Sequence, residues 1–294
     1  MNKKVVFMLK YGALSLILFF GILLPVSAAS NTTIIYGEKL NDSQRAEVKK
    51  MLGISEDDAY EEHDVTGQDY ADFINGNPNS NMYSSAKITL ESSGSGLDVN
   101  ILTPENITEV TSEMYMNALL TAGAENVTVD VVSPVKVSGH SALTGIYKAY
   151  DVEGVELDKD RMELASDELE VATDLADNDN VSDEDVSTLL TEIKKMIAEQ
   201  NPVTREEVEQ IVNEQLNKLE IQLNDADRQM LIDLVNRMKD LEIDFGAMKE
   251  QLEGITNNLV EKAEDLGLDK GFWEKVANFL SDIFRSIANF FSSN

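Results

Sequence analysis

The sequence predicts an α/β or α+β N-terminal domain with a small mixed sheet over residues 30–155, an all-α helical-hairpin region over 156–266, and an amphipathic C-terminal helix over 267–294. Three observations predict this architecture. Residues 33–150 alternate strand-like and helix-like runs, residues 156–291 are almost wholly helical in pattern, and the composition changes between them at "DVEGVELDKD".

The first expected element is a helix in "KLNDSQRAEVKKML", with Asn41 or Asp42 as N-cap, Ala46, Val48, Met51 and Leu52 as apolar residues, and Gly53 just past the end. "EEHDVT" reads as a short strand and "GQDYADFI" as one or two helical turns, followed by an exposed loop, "NGNPNSNMYSS". In "AKITLESSGSGLDVNILT", Ile88, Leu90, Leu97, Val99 and Ile101 alternate as half-buried strands do, and the Ser and Gly between the runs predict a β-hairpin. "NITEVTSEMYMNALLTAG" opens with a capping pattern, sets Val110, Met114, Leu119 and Leu120 roughly on one face of a helix, and closes at Gly123. "NVTVDVV" returns as a strand whose Val127, Val129 and Val131 share a face. A last helix, holding Leu143, Ile146 and Tyr147, is expected to be capped by Ser138 or Ser141.

Capped helices fill the second part. Ser182 with Asp185 starts one that carries Val186, Leu189, Leu190, Ile193 and Ile197, and Pro202 breaks the chain after it. Thr204 with Glu207 starts the next. "LNDADRQMLIDLVNRMKDL" carries Leu231, Leu234, Val235 and Met238, and a further helix presents Met248, Leu252, Ile255 and Leu259. No heptad run lasts three to four repeats, so helical hairpins are expected rather than a long coiled coil. "LNDSQRAEV" at 40–48 and "LNDADRQML" at 223–231 share a helix-start signal and nothing else recurs at a fixed period.

The N-terminus has the layout of a secretory signal peptide over residues 1–29: Lys3, Lys4 and Lys10, the apolar "ALSLILFFGILL", Pro25, and the small-residue pattern "VSAAS". The protein is therefore expected to be secreted and extracellular, in association with the cell envelope. There is no cysteine, which excludes a disulfide framework, a lipidated cysteine and thiol chemistry. The net charge is −30, and losing the three leader lysines takes it to −33. Such a surface repels nucleic acid and anionic lipid, so no nucleic-acid partner is expected.

"NITEVTSEMYMNALLTAGAENVTVDVVSPVKVSGHSALTGIYKAY", with "SGSGLDVNILTPENIT" before it and "LEIDFGAMKEQL" in the helical half, resembles the YpuA-like secreted proteins of Gram-positive bacteria, the domain-of-unknown-function 1002 family. The resemblance runs over roughly residues 33–265. It implies secretion and an envelope-facing life, and it brings no activity, substrate or site residues.

The residues offer little catalytic chemistry of their own. The strand, glycine-punctuated loop and helix around Gly139 have the order of a phosphate cradle, but Lys136 precedes the turn and Lys148 lies too far along, so a plain connection is the reading here. His63 and His140 are the only histidines, neither sits in a nucleophile elbow, and two histidines without cysteine fall short of a zinc site. Paired carboxylates running hydrolysis are the alternative in a chain with 54 acids, although the sole Trp lies in the tail and not in a sugar cleft. Calcium is the one cofactor the sequence raises: Asp174, Asp177, Asp179, Asp183 and Asp185 crowd one segment with Glu184, and oxygen ligands suit a hard cation. Against calcium, Val181 stands where a third ligand belongs and no Gly makes the turn, so solvated charge at a helix start is the simpler reading.

The tail, "GFWEKVANFLSDIFRSIANFFSSN", gathers Phe272, Phe279, Leu280, Ile283, Phe284, Ile287 and Phe291 on one helical face, with Trp273 beside them. An interfacial helix on a membrane or wall surface and a helix docked on this protein, an oligomer or a partner both look like this. The function the sequence supports is a non-enzymatic binding or scaffolding protein of the bacterial surface; the alternative is an extracytoplasmic hydrolase of a wall polymer that works through acidic residues.

Overall fold

The computed structural model describes residues 31–266 apart from 56 and 178–180. The expected signal peptide and the C-terminal amphipathic helix lie outside the described residues. The elements run β1 (Thr32–Gly37), α1 (Asp42–Met51), β2 (Glu61–Val65), α2 (Gly67–Ile74), β3 (Ser85–Leu90), β4 (Leu97–Ile101), α3 (Ser112–Ala122), β5 (Val127–Val132) and α4 (His140–Val152), then α5 (Lys159–Ala176), α6 (Asp183–Gln200), α7 (Arg205–Lys218), α8 (Asp225–Asp240) and α9 (Lys249–Leu266). A small mixed sheet followed by helices is the architecture that the residue pattern predicts.

Local signals place most helix ends. Asn41 caps α1 with Gln44 closing a capping box, and Thr66 with Asp69, Ser182 with Asp185 and Thr204 with Glu207 do the same for α2, α6 and α7. Asn224 caps α8, so the echoed "LND" begins a helix both times. Helix α3 starts later than its first capping pattern implies: Thr111 is the cap and Val110 precedes the helix.

The sheet order is β2-β1-β3-β5-β4, with β1 parallel to β2, β4 parallel to β5, and β3 antiparallel to both its neighbours. Two expectations fail here. Strand β1 is not among the strands read from the sequence, because Thr33, Ile34, Ile35 and Tyr36 are buried on both faces and the run shows no alternation. Strands β3 and β4 form no hairpin: β5 lies between them, and Val127 pairs with Leu90 on one side and Leu97 on the other. The loop steps over the start of β5, where the Asn126 side chain accepts from the Gly94 and Ser95 amides at 2.7 and 3.1 Å. Local alternation shows two strands but not their partner, and the valine-rich β5 takes the central place.

Helices α3 and α4 cover one face of the sheet, against Ile35, Ile88, Val99, Val129 and Val131. On the other face, Val48 of α1 and Leu52 just past its end pack on Ile34, Tyr36 and Val132. The remainder of that face is polar, with Lys87 and Asp130 paired at 2.6 Å.

Helix α3 is buried from Glu113 to Ala122. Its sequence is apolar almost all round, which suits a helix packed on every side rather than one with a single apolar face. The sheet lies on one side of it, and α5, α6 and α9 on the other. One core therefore runs from Ile35 to Leu259, straight across residue 155.

Helix α4 corrects another expectation. Neither Ser138 nor Ser141 caps it; Gly139 holds the cap position at φ 117°, with no side-chain hydrogen bond. A Cβ there would lie 2.9 Å from the Tyr115 hydroxyl oxygen and from Ile107, so the glycine is needed for both its conformation and the close approach. The Tyr115 hydroxyl donates to the Gly139 carbonyl at 2.6 Å. The turn that resembled a phosphate cradle is a packed joint.

Candidate functional site

Helix α5 presents carboxylates on two faces, one sealed and one open. On the sealed side Glu168 meets Lys194 of α6 at 2.5 Å, and the two side chains are 1% and 0% exposed. The Lys194 ammonium also donates to the backbone carbonyl of Asn117 at 2.7 Å and to its Oδ1 at 3.1 Å, so all three of its protons are used. The Thr121 hydroxyl donates to the other Glu168 oxygen, the Asn117 amide donates to Thr191 Oγ1 at 3.0 Å, and the Phe245 ring lies 5.9 Å from the ammonium. Burial pushes the Glu168 carboxyl up and the Lys194 amine down, and each opposes the other's shift. The satisfied geometry supports an ion pair. It bolts α3, α5 and α6 together and meets no solvent, so its work is structural.

On the open side, α5 and α8 enclose a groove of about 630 Å3. Its floor is apolar, made by Val171, Met230 and Leu234, and its rim carries Asp167, Glu170 and Asp174 from α5 and Asp233 from α8. The three α5 acids share a face because they fall at i, i+3 and i+7. Two rim carboxylates already hold guanidinium groups. Arg237 of α8 reaches across to Asp167, and Arg205 of α7 donates to Asp233 at 2.6 Å, which holds that carboxyl below its ordinary value. Glu170 and Asp174 make no ion pair among the described residues.

His140 stands behind this wall. Its ring nitrogens lie 3.2 Å from the Ser138 hydroxyl and 3.3 Å from the Thr173 hydroxyl of α5. Burial pushes its pKa down, against the pull of Glu109, Glu170 and Asp174. His63 lies far off on edge strand β2, beside Glu61 at 3.4 Å.

A third polar group occupies the α6–α7–α9 side of the helical layer. Lys195 donates to Glu192 at 2.8 Å and to Thr256 at 2.6 Å, while the second Glu192 oxygen and both Gln215 side-chain atoms, all buried, have no hydrogen-bond partner among the described residues. Burial lowers Lys218 to about 8, opposed by Glu192, Glu214 and Glu199.

The family model described as "Protein of unknown function (DUF1002)" matches residues 36–255. The chain belongs to the DUF1002 family. A relative, the uncharacterized protein YpuA of Bacillus subtilis (strain 168), is 30% identical over 274 residues, which span 90% of this chain and 91% of YpuA. No solved structure matches. The groove and the buried ion pair both lie inside the stretch matched by the DUF1002 model.

Within this DUF1002 fold the described acids raised for calcium fall on two helices and their caps. Asp174 is on the groove rim, Asp177 ends α5, Asp183 begins α6 and Asp185 closes the α6 capping box. Asp179 lies outside the described residues, and among those described no group of three or more acids or histidines is placed to hold a metal. The tail residues Phe272, Trp273, Phe279, Leu280, Ile283, Phe284, Ile287 and Phe291 also lie outside them. Among the described residues no helix is long and apolar enough to cross a membrane. Sequence reasoning missed the groove. One half of it was visible as Asp167, Glu170, Val171 and Asp174 on one face of α5; the other half comes from α8, and no local pattern links the two.

Proposed function

We propose that this DUF1002 protein is exported and acts at the cell envelope by binding, with the α5–α8 groove as its contact surface. The groove carries the reading: an open cleft of about 630 Å3 with an apolar floor and a carboxylate rim, two members of which are not engaged in ion pairs among the described residues. Its volume is in the range of ordinary ligand sites, and an apolar base with a few placed polar groups is their usual composition. The leader-like residues 1–29 support a place outside the cytoplasm.

The test is fractionation of cells that produce the full chain. The protein is expected in the envelope fraction with its leader removed, and Glu170→Gln/Asp174→Asn is expected to shift it toward the medium. A full-length protein held in the cytoplasm overturns the location, and an unchanged envelope share in the double variant overturns the groove's role. Deleting residues 271–294 in parallel separates the contribution of the tail. A second reading, hydrolysis of a wall polymer, draws on carboxylates that stand on both walls of the groove. New reducing ends or amines from wall fragments, lost in Glu170→Gln, would favour it over binding.

A further inference from the structure

We infer that the α5–α8 groove takes a cationic amphipathic peptide segment, with lysine or arginine side chains on Glu170 and Asp174 and an apolar side chain on the floor formed by Val171, Met230 and Leu234. This rests on the groove being the contact surface and names the class of its occupant.

Charge selects the occupant's sign. Four carboxylates ring the groove and the one cation in its lining, Arg237, is spent on Asp167. The chain also supplies its own example of the ligand chemistry, since two rim carboxylates already accept guanidinium groups delivered by other helices. Glu170 and Asp174 are the same kind of acceptor, one turn apart on the same face of α5, so they match cations spaced at i and i+3 or i+4 on an incoming helix.

Shape and floor favour a peptide over a small polyamine. The lining runs from Asp167 to Asp174 along α5 and from Ala226 to Arg237 along α8, about 10 and 16 Å at the helical rise, which is two to three turns of a docked helix. Val171 and Leu234 are buried beneath it and Met230 is half-buried, so the floor rewards an apolar side chain set between the cations. A flat acidic surface would draw any polycation; an apolar floor discriminates among them.

The probe is a fluorescein-labelled peptide of about 14 residues, four helical turns, built from a repeated Lys-Leu-Ala-Lys-Leu-Ala-Lys unit. Its binding to the purified chain is followed by anisotropy at low and at physiological salt. Expected is saturable binding that weakens with salt, drops about tenfold or more in Glu170→Gln/Asp174→Asn, and drops again in Met230→Ser. Asp42→Asn/Glu47→Gln removes the same charge from exposed positions on α1, across the sheet from the groove, and is expected to leave binding within about twofold. Equal loss in that control reduces the effect to net charge and overturns the inference. So does equally tight binding of spermine, or of the same peptide with serine in place of leucine, and so does failure of the peptide to bind at all. If the peptide fails while the groove variant still shifts the protein between envelope and medium, the occupant class falls and the contact surface stands; if both fail, both fall.

Discussion

Asp167 and Glu168 stand side by side on α5, each is paired with a cation from another helix, and the two pairs differ in almost everything else. Asp167 and its Arg237 are 46% and 49% exposed, whereas Glu168 and Lys194 are 1% and 0% exposed. In water, an ion pair of the first kind contributes about 0–1 kcal/mol and can be exchanged for another partner. In the interior, the same chemistry is fixed, because removing one member leaves the other charged, buried and unsatisfied. One helix therefore holds the fold with one face and offers replaceable contacts with the next.

The contrast is open to attack from both ends. The largest effect is expected for Lys194→Met, which strands the Glu168 carboxylate and costs about 3–5 kcal/mol in urea unfolding; Glu168→Leu/Lys194→Met removes both charges and recovers much of that loss. A single variant that unfolds like the wild type would show that the pair carries no structural weight.

A middle-sized effect is expected from His140, which lies between the two faces. Its folded pKa is depressed below the ordinary 6.5 by burial, with Glu109, Glu170 and Asp174 opposing. The unfolded chain therefore binds the proton more readily between the folded value and 6.5. Stability is complete above that window and falls as the pH drops through it. Denaturant melts at a series of pH values are expected to show this slope, and His140→Gln is expected to flatten it; an identical slope in the variant assigns the acid sensitivity elsewhere.

The smallest effect belongs to the exposed pair. Arg237→Gln should alter stability by less than about 1 kcal/mol, yet it frees Asp167 and should tighten binding of the cationic peptide by roughly two- to fivefold. Weaker binding in this variant would mean that Arg237 helps to hold the occupant.

What the sequence made legible follows the same division between local and distant effects. Caps at Asn41, Ser182 and Thr204 are written within four residues of the groups they satisfy, and the helices start there. Strand β3 pairs with β1 and β5, both distant in sequence, and alternation in β3 and β4 says nothing about either. Lys194 could have been noticed as the one cation in the apolar stripe of Leu190, Ile193 and Ile197, a position that demands a buried anion. Its partner Glu168 and the supporting Asn117 sit on two other helices, so only the fold identifies them. The groove obeys the same limit, since Asp167, Glu170 and Asp174 are aligned by helical spacing while Asp233 and Met230 arrive by packing.

The depth of α3 sets a clock on biosynthesis. Its last residue is Ala122, but the helices that cover its far side extend to Leu259, and Asn258 of α9 touches Met116. At about 5–20 residues per second, a ribosome needs roughly seven to thirty seconds to deliver that cover after α3 is complete. Through that interval Met116, Leu119 and Leu120 lack their final burial, so the growing chain carries an open apolar surface until its last helices emerge.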